Sequence, residues 1–341
     1  MGGGQRFALR LARHVAKARG HDSVVVVCPQ RSSLAEAARQ AEVSVAAMTF
    51  PDPRVTNLLR LPPTLIKLRG LIGSIAPTTL VGNSARCQLY GALAMAGLRR
   101  RPRLVALMHE QDSAGRAALR ILYQHIGSLE VVGRNAAIAY RVRLPGVDVH
   151  QVNNFLTAAE FEQLRSLRRP RRTEPTRQVL GVLGRLIPEK GLIELVEELA
   201  AVGHDAWGKL VIAAMPEQLS YERRLRERIA ELALEQRVTL LGQAADAGRF
   251  LAETDVVIVP STGNEGQPTV ILEALATGRP VIVRRQLYSA DYAGLPVTPF
   301  EGPHDLRTAL LAPPEPVLPD ELVQARFGVD QVLTALERPT S

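Results

Sequence analysis

The chain has 341 residues, enough for two domains at roughly 100–200 residues each. Its 46% hydrophobic and 22% charged residues give an ordinary globular balance, and a net charge of +8 favours anionic partners such as nucleotides, phospholipid head groups or nucleic acid. Aromatic residues make up 4%, too few for a base-stacking platform, which sets nucleic acid aside, and no apolar run approaches the roughly 20 residues of a membrane span.

The eighteen residues after Met1 read as Gly2-Gly3-Gly4 followed by a helix from Gln5 to Arg19, with Phe7, Leu11 and Val15 on one face and Gly20 closing it. No long apolar segment follows Met1, so the expectation is a cytoplasmic protein without a secretory leader. Ser23–Cys28 and Val43–Met48 are strand-like, and Arg103–Met108 is a third such run that ends on His109. Asp148–Val152 reads as the last strand of the first half. Between them, residues Asn57–Gly73 mix Leu and Ile with Arg and Lys. They could touch a membrane, but Pro62 and Pro63 break the run, which favours a helix lining a cleft. The two cysteines, Cys28 and Cys87, have no metal-site spacing and read as buried free thiols.

Leu164–Arg177 is rich in Arg and carries Pro170 and Pro175; it reads as a solvated connection, with anionic lipid or nucleic acid as the other reading. The domain boundary is expected near Asn154. This gives a first domain over residues 1–153, a second over 154–320, and a closing helix within 321–341 that packs back on the first. Strand and helix patterns then alternate. Strands are expected at Val179–Leu183, Leu210–Ala213, Val238–Leu241, Asp255–Pro260 and Val281–Val283, and helices at Leu192–Ala200, Tyr221–Leu234, Ala245–Ala252, Pro268–Thr277 and Glu321–Leu336. Such alternation means βαβ units, hence an α/β protein with two Rossmann-like, doubly wound parallel sheets. In such sheets ligands sit beyond the carboxyl ends of the strands.

Two stretches place chemistry there. In Asp255–Val283 a buried strand ends at Pro260, a polar loop holds Glu265, Gly266 and Gln267, and Pro268 suits the first position of a helix. The start of that helix presents free N–H groups and a positive dipole end to an anion, and Gly266 lets the anion approach the backbone. Glu273, inside the helix, could accept two ribose hydroxyls, and Glu265 the hydroxyls of a sugar; otherwise they are a capping acid (Glu265) and a surface acid (Glu273). In Gly181–Gly191 a strand meets the Gly184 turn, then Arg185 and Lys190. Two cations there suit a diphosphate whose charge grows as it departs; the plainer reading is two solvated surface cations.

The pattern G-R-x-x-x-x-K-G, followed by P-S-x-x-x-E-G-x-P-x-x-x-x-E-A-x-A-x-G-x-P-V, resembles the retaining GT-B glycosyltransferases of family 4, also called group 1. It is strong over residues 178–283 and weaker before them. The resemblance implies two Rossmann-like domains facing a cleft, an acceptor on the first and a nucleotide-diphosphate sugar on the second. It implies Arg185, Lys190, Gly266 and Gln267 on the donor diphosphate, Glu273 on the ribose and Glu265 on the sugar. Gly3 and Gly4 match the family's phosphate-side glycine loop, and His109 matches a histidine beside the donor sugar. The implied reaction is glycosyl transfer with retention in glycan, glycolipid or cell-envelope polysaccharide synthesis. The acceptor could be lipid-linked, with the protein peripheral at the inner membrane face.

No Asp-x-Asp pair occurs, so neither metal nor organic cofactor is expected. The family's first strand before the glycine loop has no counterpart here, which implies an upstream start or a first sheet lacking its central strand. The family's glycine-rich loops after the second domain's second strand and after Val283 are replaced by Ala213–Pro216 and by Arg284–Tyr288. Two other readings remain: an epimerase-like GT-B enzyme, and a non-catalytic module keeping the fold. Gly203–Leu210 approximates a phosphate-binding P-loop but has Leu210 in place of the magnesium-holding hydroxyl, and no G-x-S-x-G elbow occurs.

Overall fold

The computed structural model describes residues 2–52, 61–109, 121–123, 126, 128–263, 265–314 and 320–337. Two compact units result: Met1–Thr157 with the segment from Val329 onward, and Ala158–Gly328. The division thus falls after Thr157, a few residues beyond Asn154. The closing helix is two helices, Asp320–Phe327 in the second unit and Val329–Glu337 in the first. Gly328 separates them, the residue type least suited to continue a helix after proline.

In the first unit, strands β1 (Val25–Cys28) and β2 (Ser44–Ala47) form a parallel pair. A separate parallel sheet runs β3 (Thr79–Gly82), β4 (Arg103–Met108), β5 (Ser128–Val132), β6 (Asp148–Val152). Among the described residues, no strand ladder joins β1 to β3. Val25, Val26 and Val27 are accordingly half-buried rather than enclosed. Helix α1 (Gly3–Arg19) spans both sheets by side-chain packing. Phe7 and Leu11 pack in one core with Leu107, Val132 and Phe155, and Leu9, Ala12 and Ala16 in another with Cys28, Leu34 and Val43. At roughly 1.5–3 kcal/mol for each large apolar side chain enclosed, this two-sided helix is the main tie between the sheets.

Helix α2 covers Ser33–Gln40, and α3 covers Leu61–Ile75. Pro62 and Pro63 fall within the first described turn of α3, where backbone N–H groups have no intrahelical acceptor to lose. Residues 57–60 of the mixed apolar and basic run lie outside the described residues. Helices α4 (Ala85–Met95) and α5 (Arg134–Arg143) and the helix Val329–Glu337 also belong to this unit. Cys28 is buried and Cys87 half-buried, and both are free thiols.

The second unit opens with α6 (Ala158–Arg165) and holds one six-stranded parallel sheet. Its strands are β7 (Val179–Leu186), β8 (Lys209–Pro216), β9 (Val238–Leu240), β10 (Val256–Val259), β11 (Val281–Arg284) and β12 (Val297–Phe300), in the order β12-β11-β10-β7-β8-β9. The chain therefore winds outward from β7 to β9, returns to the other side of β7, and winds outward again. The reversal leaves a crevice beyond the carboxyl ends of β7 and β10. Helix α7 (Leu192–Val202) buries Leu192, Leu195, Val196 and Leu199 completely, the i, i+3, i+4, i+7 stripe of its sequence. Helices α8 (Leu219–Glu231), α9 (Ala247–Glu253), α10 (Thr269–Ala276) and α11 (Gly302–Leu311) follow, with α12 being Asp320–Phe327.

The arginine-rich stretch is largely exposed, as a solvated connection would be, but it is fastened to the second unit at several points. Arg168 Nη2 lies 2.6 Å from Asp320 Oδ1, and its Nε donates to the Ala276 carbonyl. Asp255, 1% exposed, accepts from Arg172 N, Arg172 Nη1 and Val179 N at 2.7–3.0 Å. The run is thereby fastened across the amino ends of the sheet.

Candidate active site

In the second unit the loop after β7 meets the loop after β10. Gly191 follows a short 3-10 turn (Pro188–Lys190) with φ +64°, and a Cβ there would lie 2.3 Å from the Pro260 carbonyl oxygen. Only a glycine lets the two loops touch so closely. The contact is then sewn by one acceptor, since Thr262 N and Gly263 N both donate to the Glu189 carbonyl at 3.0 and 2.9 Å. Lys190 is carried against the second loop, and its Nζ lies 2.5 Å from Glu265 Oε1. Asn264 lies outside the described residues.

Arg185, Lys190, Ser261 and Val270 line one pocket. It joins the carboxyl end of β7 to the first turn of α10, so two cations and a helix amino end share one concavity. Pro268 is the cap of α10 (φ −63°, ψ 123°) and Thr269 its first residue, one position later than the sequence suggested. Gly266 and Gln267 precede it as buried loop residues, and the Gln267 side chain hydrogen-bonds the buried Tyr292, whose phenol burial pushes well up. Glu273 is 5% exposed, so it is not a surface acid. Arg185 is half-exposed and pairs with Glu217 at 3.3 Å. That partner follows Pro216, because β8 runs on to Pro216 where Ala213 was expected to end it.

The segment Arg284–Tyr288, which the sequence singled out without assigning it a role, helps to hold this site. Gln286 Nε2 donates to the Ser261 carbonyl at 3.1 Å, which ties the segment after β11 to the loop after β10. Arg284 forms a two-pronged pair with Glu198 of α7 at 2.6 and 3.0 Å and stacks over Phe300. The replacement of the expected glycine-rich loop by Arg284–Tyr288 therefore supplies a brace.

In the first unit, Gly3 and Gly4 belong to the first turn of α1 rather than to a loop, and Gly2 N donates to Gln5 Oε1 at 3.1 Å. Asn83 links this turn to His109. Its Nδ2 donates to Gly4 O at 2.8 Å, and its Oδ1 faces His109 Nε2 at 2.8 Å. That orientation puts the imidazole proton on Nε2 and leaves Nδ1 as the acceptor. The His109 ring meets Phe7 edge-on at 5.0 Å, and burial pulls its pKa down to about 4. A neutral histidine therefore stands beside the helix amino end. The sequence pointed to Gly3, Gly4 and His109, but not to Asn83.

Comparison with known proteins adds the family. Residues 1–158 match the model of Glycosyltransferase Family 4, and residues 177–323 that of Glycosyl transferases group 1. A curated relative is the lipopolysaccharide core biosynthesis mannosyltransferase LpsB of Rhizobium meliloti, 28% identical over 156 residues, which is 44% of this chain and 42% of that protein. Another is the exopolysaccharide phosphotransferase SCO2592 of Streptomyces coelicolor, 31% identical over 113 residues, 33% of this chain and 12% of that protein. The matches thus span less than half the length of either relative.

Among solved structures, Anabaena Alr3699/HepE in complex with UDP and glucose superposes with a TM-score of 0.76 at 19% identity, covering 99% of this chain and 96% of that one. A glycosyltransferase from Rickettsia africae gives 0.78 at 15% identity, covering 98% and 93%. These likenesses establish a GT-B fold. The two family models cover residues 1–158 and 177–323, one in each of the two units described above, so the chain carries domains of the glycosyltransferase group 1 and family 4 type.

Proposed function

We propose that this protein transfers a glycosyl group from a nucleoside-diphosphate sugar, with retention, to an acceptor in polysaccharide or glycolipid assembly. One observation carries the reading: Arg185, Lys190 and the first turn of α10 line a single pocket at the reversal point of the second sheet. A diphosphate there meets two cations and a positive helix end. When the bond between the anomeric carbon and the diphosphate oxygen breaks, the electron pair leaves with the phosphate. Fixed positive charge stabilises that state more than the ground state. In this reading Glu273 accepts the ribose hydroxyls, Glu265 accepts hydroxyls of the sugar, and Gly266 and Gln267 offer backbone N–H groups. Gly3, Gly4 and His109 belong to the same reaction from the first unit. Lys190 and Arg185 supply the positive charge that a metal supplies elsewhere, so the reading calls for no cofactor.

The UDP and glucose named with the Anabaena structure, and the mannosyltransferase name of the Rhizobium relative, support a hexose donor. The lipopolysaccharide and exopolysaccharide in the names of the Rhizobium and Streptomyces relatives support a cell-envelope glycan as acceptor. The test is slow hydrolysis: the purified chain is incubated with UDP-glucose, UDP-galactose and GDP-mannose, and released nucleoside diphosphate is measured. Release from one donor that Lys190→Met abolishes supports the reading. Absence of both binding and release with every donor overturns it.

A further inference from the structure

Asn83 and His109 are the residues that follow β3 and β4, parallel neighbours that pair Gly82 with Ala106. A buried amide ties the ends of these strands. Gln88 of α4 is 0% exposed, and its Nε2 donates to the carbonyls of Gly82 at 3.0 Å and Leu107 at 2.9 Å. A Cβ on Gly82 would lie 2.6 Å from Gln88 Cγ, so the side chain fits there only against a glycine. Ser84 then caps α4 by accepting from Cys87 N, which leaves Asn83 alone between strand and cap. The backbone on both sides of Asn83 is thereby held.

The polarity of the Asn83 amide is dictated by its neighbours. The Gly4 carbonyl can only accept, so the amide nitrogen must face it, as it does at 2.8 Å. The amide oxygen is left for His109, and that oxygen can only accept. His109 answers with a proton on Nε2, and burial keeps the ring from taking a second one. A backbone carbonyl of α1 thus decides, through one side chain, which nitrogen of the imidazole is bare.

We propose that Asn83 is a positioning residue for the reaction: it holds His109 as a hydrogen-bond acceptor, at Nδ1, for a hydroxyl of the donor sugar. The inference rests on the glycosyl-transfer reading for the sugar, and on the Gly4–Asn83–His109 bonds for the polarity. A hydroxyl suits such a nitrogen because it brings its own hydrogen. A carboxylate does not, since it would set lone pairs against a lone pair.

The experiment reads the imidazole itself. The full chain is labelled with nitrogen-15 and held at about pH 8, above the ordinary histidine range. The His109 signals are assigned by their loss in His109→Gln, and the shifts of the two ring nitrogens report where the proton sits. Widely separated shifts with the proton on Nε2 are expected. Asn83→Ala removes the acceptor and should bring the two shifts towards each other as the tautomers exchange. Asn83→Asp keeps an oxygen for Nε2 and should keep the separation. A merely structural role would disturb both variants alike, and their melting temperatures check that both fold. With a donor that turns over, Asn83→Ala should lower kcat for hydrolysis about fivefold, the worth of one neutral hydrogen bond. Mixed tautomers or a proton on Nδ1 in the unaltered chain, an unchanged pattern or undiminished kcat in Asn83→Ala, or equal loss of separation in both variants overturns the proposal. The tautomer is read whether or not any donor turns over, so failure of the transferase reading shows separately, in the release of nucleoside diphosphate.

Discussion

Lys190 Nζ rests 2.5 Å from Glu265 Oε1, so the cation proposed for the diphosphate and the carboxylate proposed for the sugar begin bound to each other. Both side chains are about a fifth exposed (22% and 23%), and a pair of that kind is worth roughly 1 kcal/mol or less. Donor binding must redirect Lys190. Glu265→Gln should therefore tighten binding of UDP alone by up to about fivefold, while donor hydrolysis falls. Lys190→Met should weaken UDP binding about tenfold or more. Calorimetry checks both, and weaker UDP binding in Glu265→Gln would show that the carboxylate holds the lysine in place for the phosphate.

Glu273 is buried in the helix that follows the loop, an environment an acid tolerates when its oxygens are used. Glu273→Ala should weaken nucleoside-diphosphate binding about tenfold, the worth of hydrogen bonds to a charged acceptor. Titration well below the variant's melting temperature reads the change. Unaltered affinity removes the ribose assignment.

Gly191→Ala should destabilise the second unit by about 2 kcal/mol or more, because the positive φ and the overlap with the Pro260 carbonyl cannot both be relieved. A lower urea midpoint for that unit is the measurement. The backbone contact it breaks is the one that brings Lys190 to Glu265.

His109 predicts a pH dependence. Its folded pKa of about 4 lies below the ordinary value of 6.5, so the unfolded chain binds the extra proton between those values. Stability of the first unit should fall as pH drops from about 6.5 towards 4, by at most about 1.4 kcal/mol per unit and less because the ring is half-buried. His109→Gln should flatten that slope. An imidazole resonance still neutral at pH 5.5 is the direct check, and titration near 6.5 would refute it.

Gly4→Ala would set a methyl 3.1 Å from the His109 ring. The imidazole must shift away, so the bond to Asn83 should lengthen and donor hydrolysis should drop with little loss of stability. The His109 side-chain chemical shift reports the displacement.

The strand, loop and helix of Asp255–Ala276 were legible because their signals are local: an apolar run, a polar loop, a proline and a short apolar helix. The pairing of Lys190 with Glu265 was not, since it joins positions 75 apart that chain folding alone brings together. Asn83 was missed, and Gln286 was left without a role, for the same reason, as a lone amide in a sequence carries no sign of what it faces. The arginine run is exposed as its composition suggests, but its fastening was not legible, because Asp255 and Asp320 lie far along the chain. Element ends slipped where the pattern is weak, as in β8, whose last residues continue pairing with β7 although Met215 and Pro216 give no strand signal.

The discontinuity between β1 and β3 gives the first unit a seam. Side-chain packing on α1, with no ladder of shared amide hydrogens among the described residues, holds the β1–β2 pair to the larger sheet. Such a pair can lift away without breaking a strand-to-strand bond, so amides of Val25–Cys28 should exchange with solvent well ahead of those in Leu104–Met108. That seam runs under the helix whose first turn faces His109. Whatever grips α1 at its amino end would then also stiffen the small sheet beyond it.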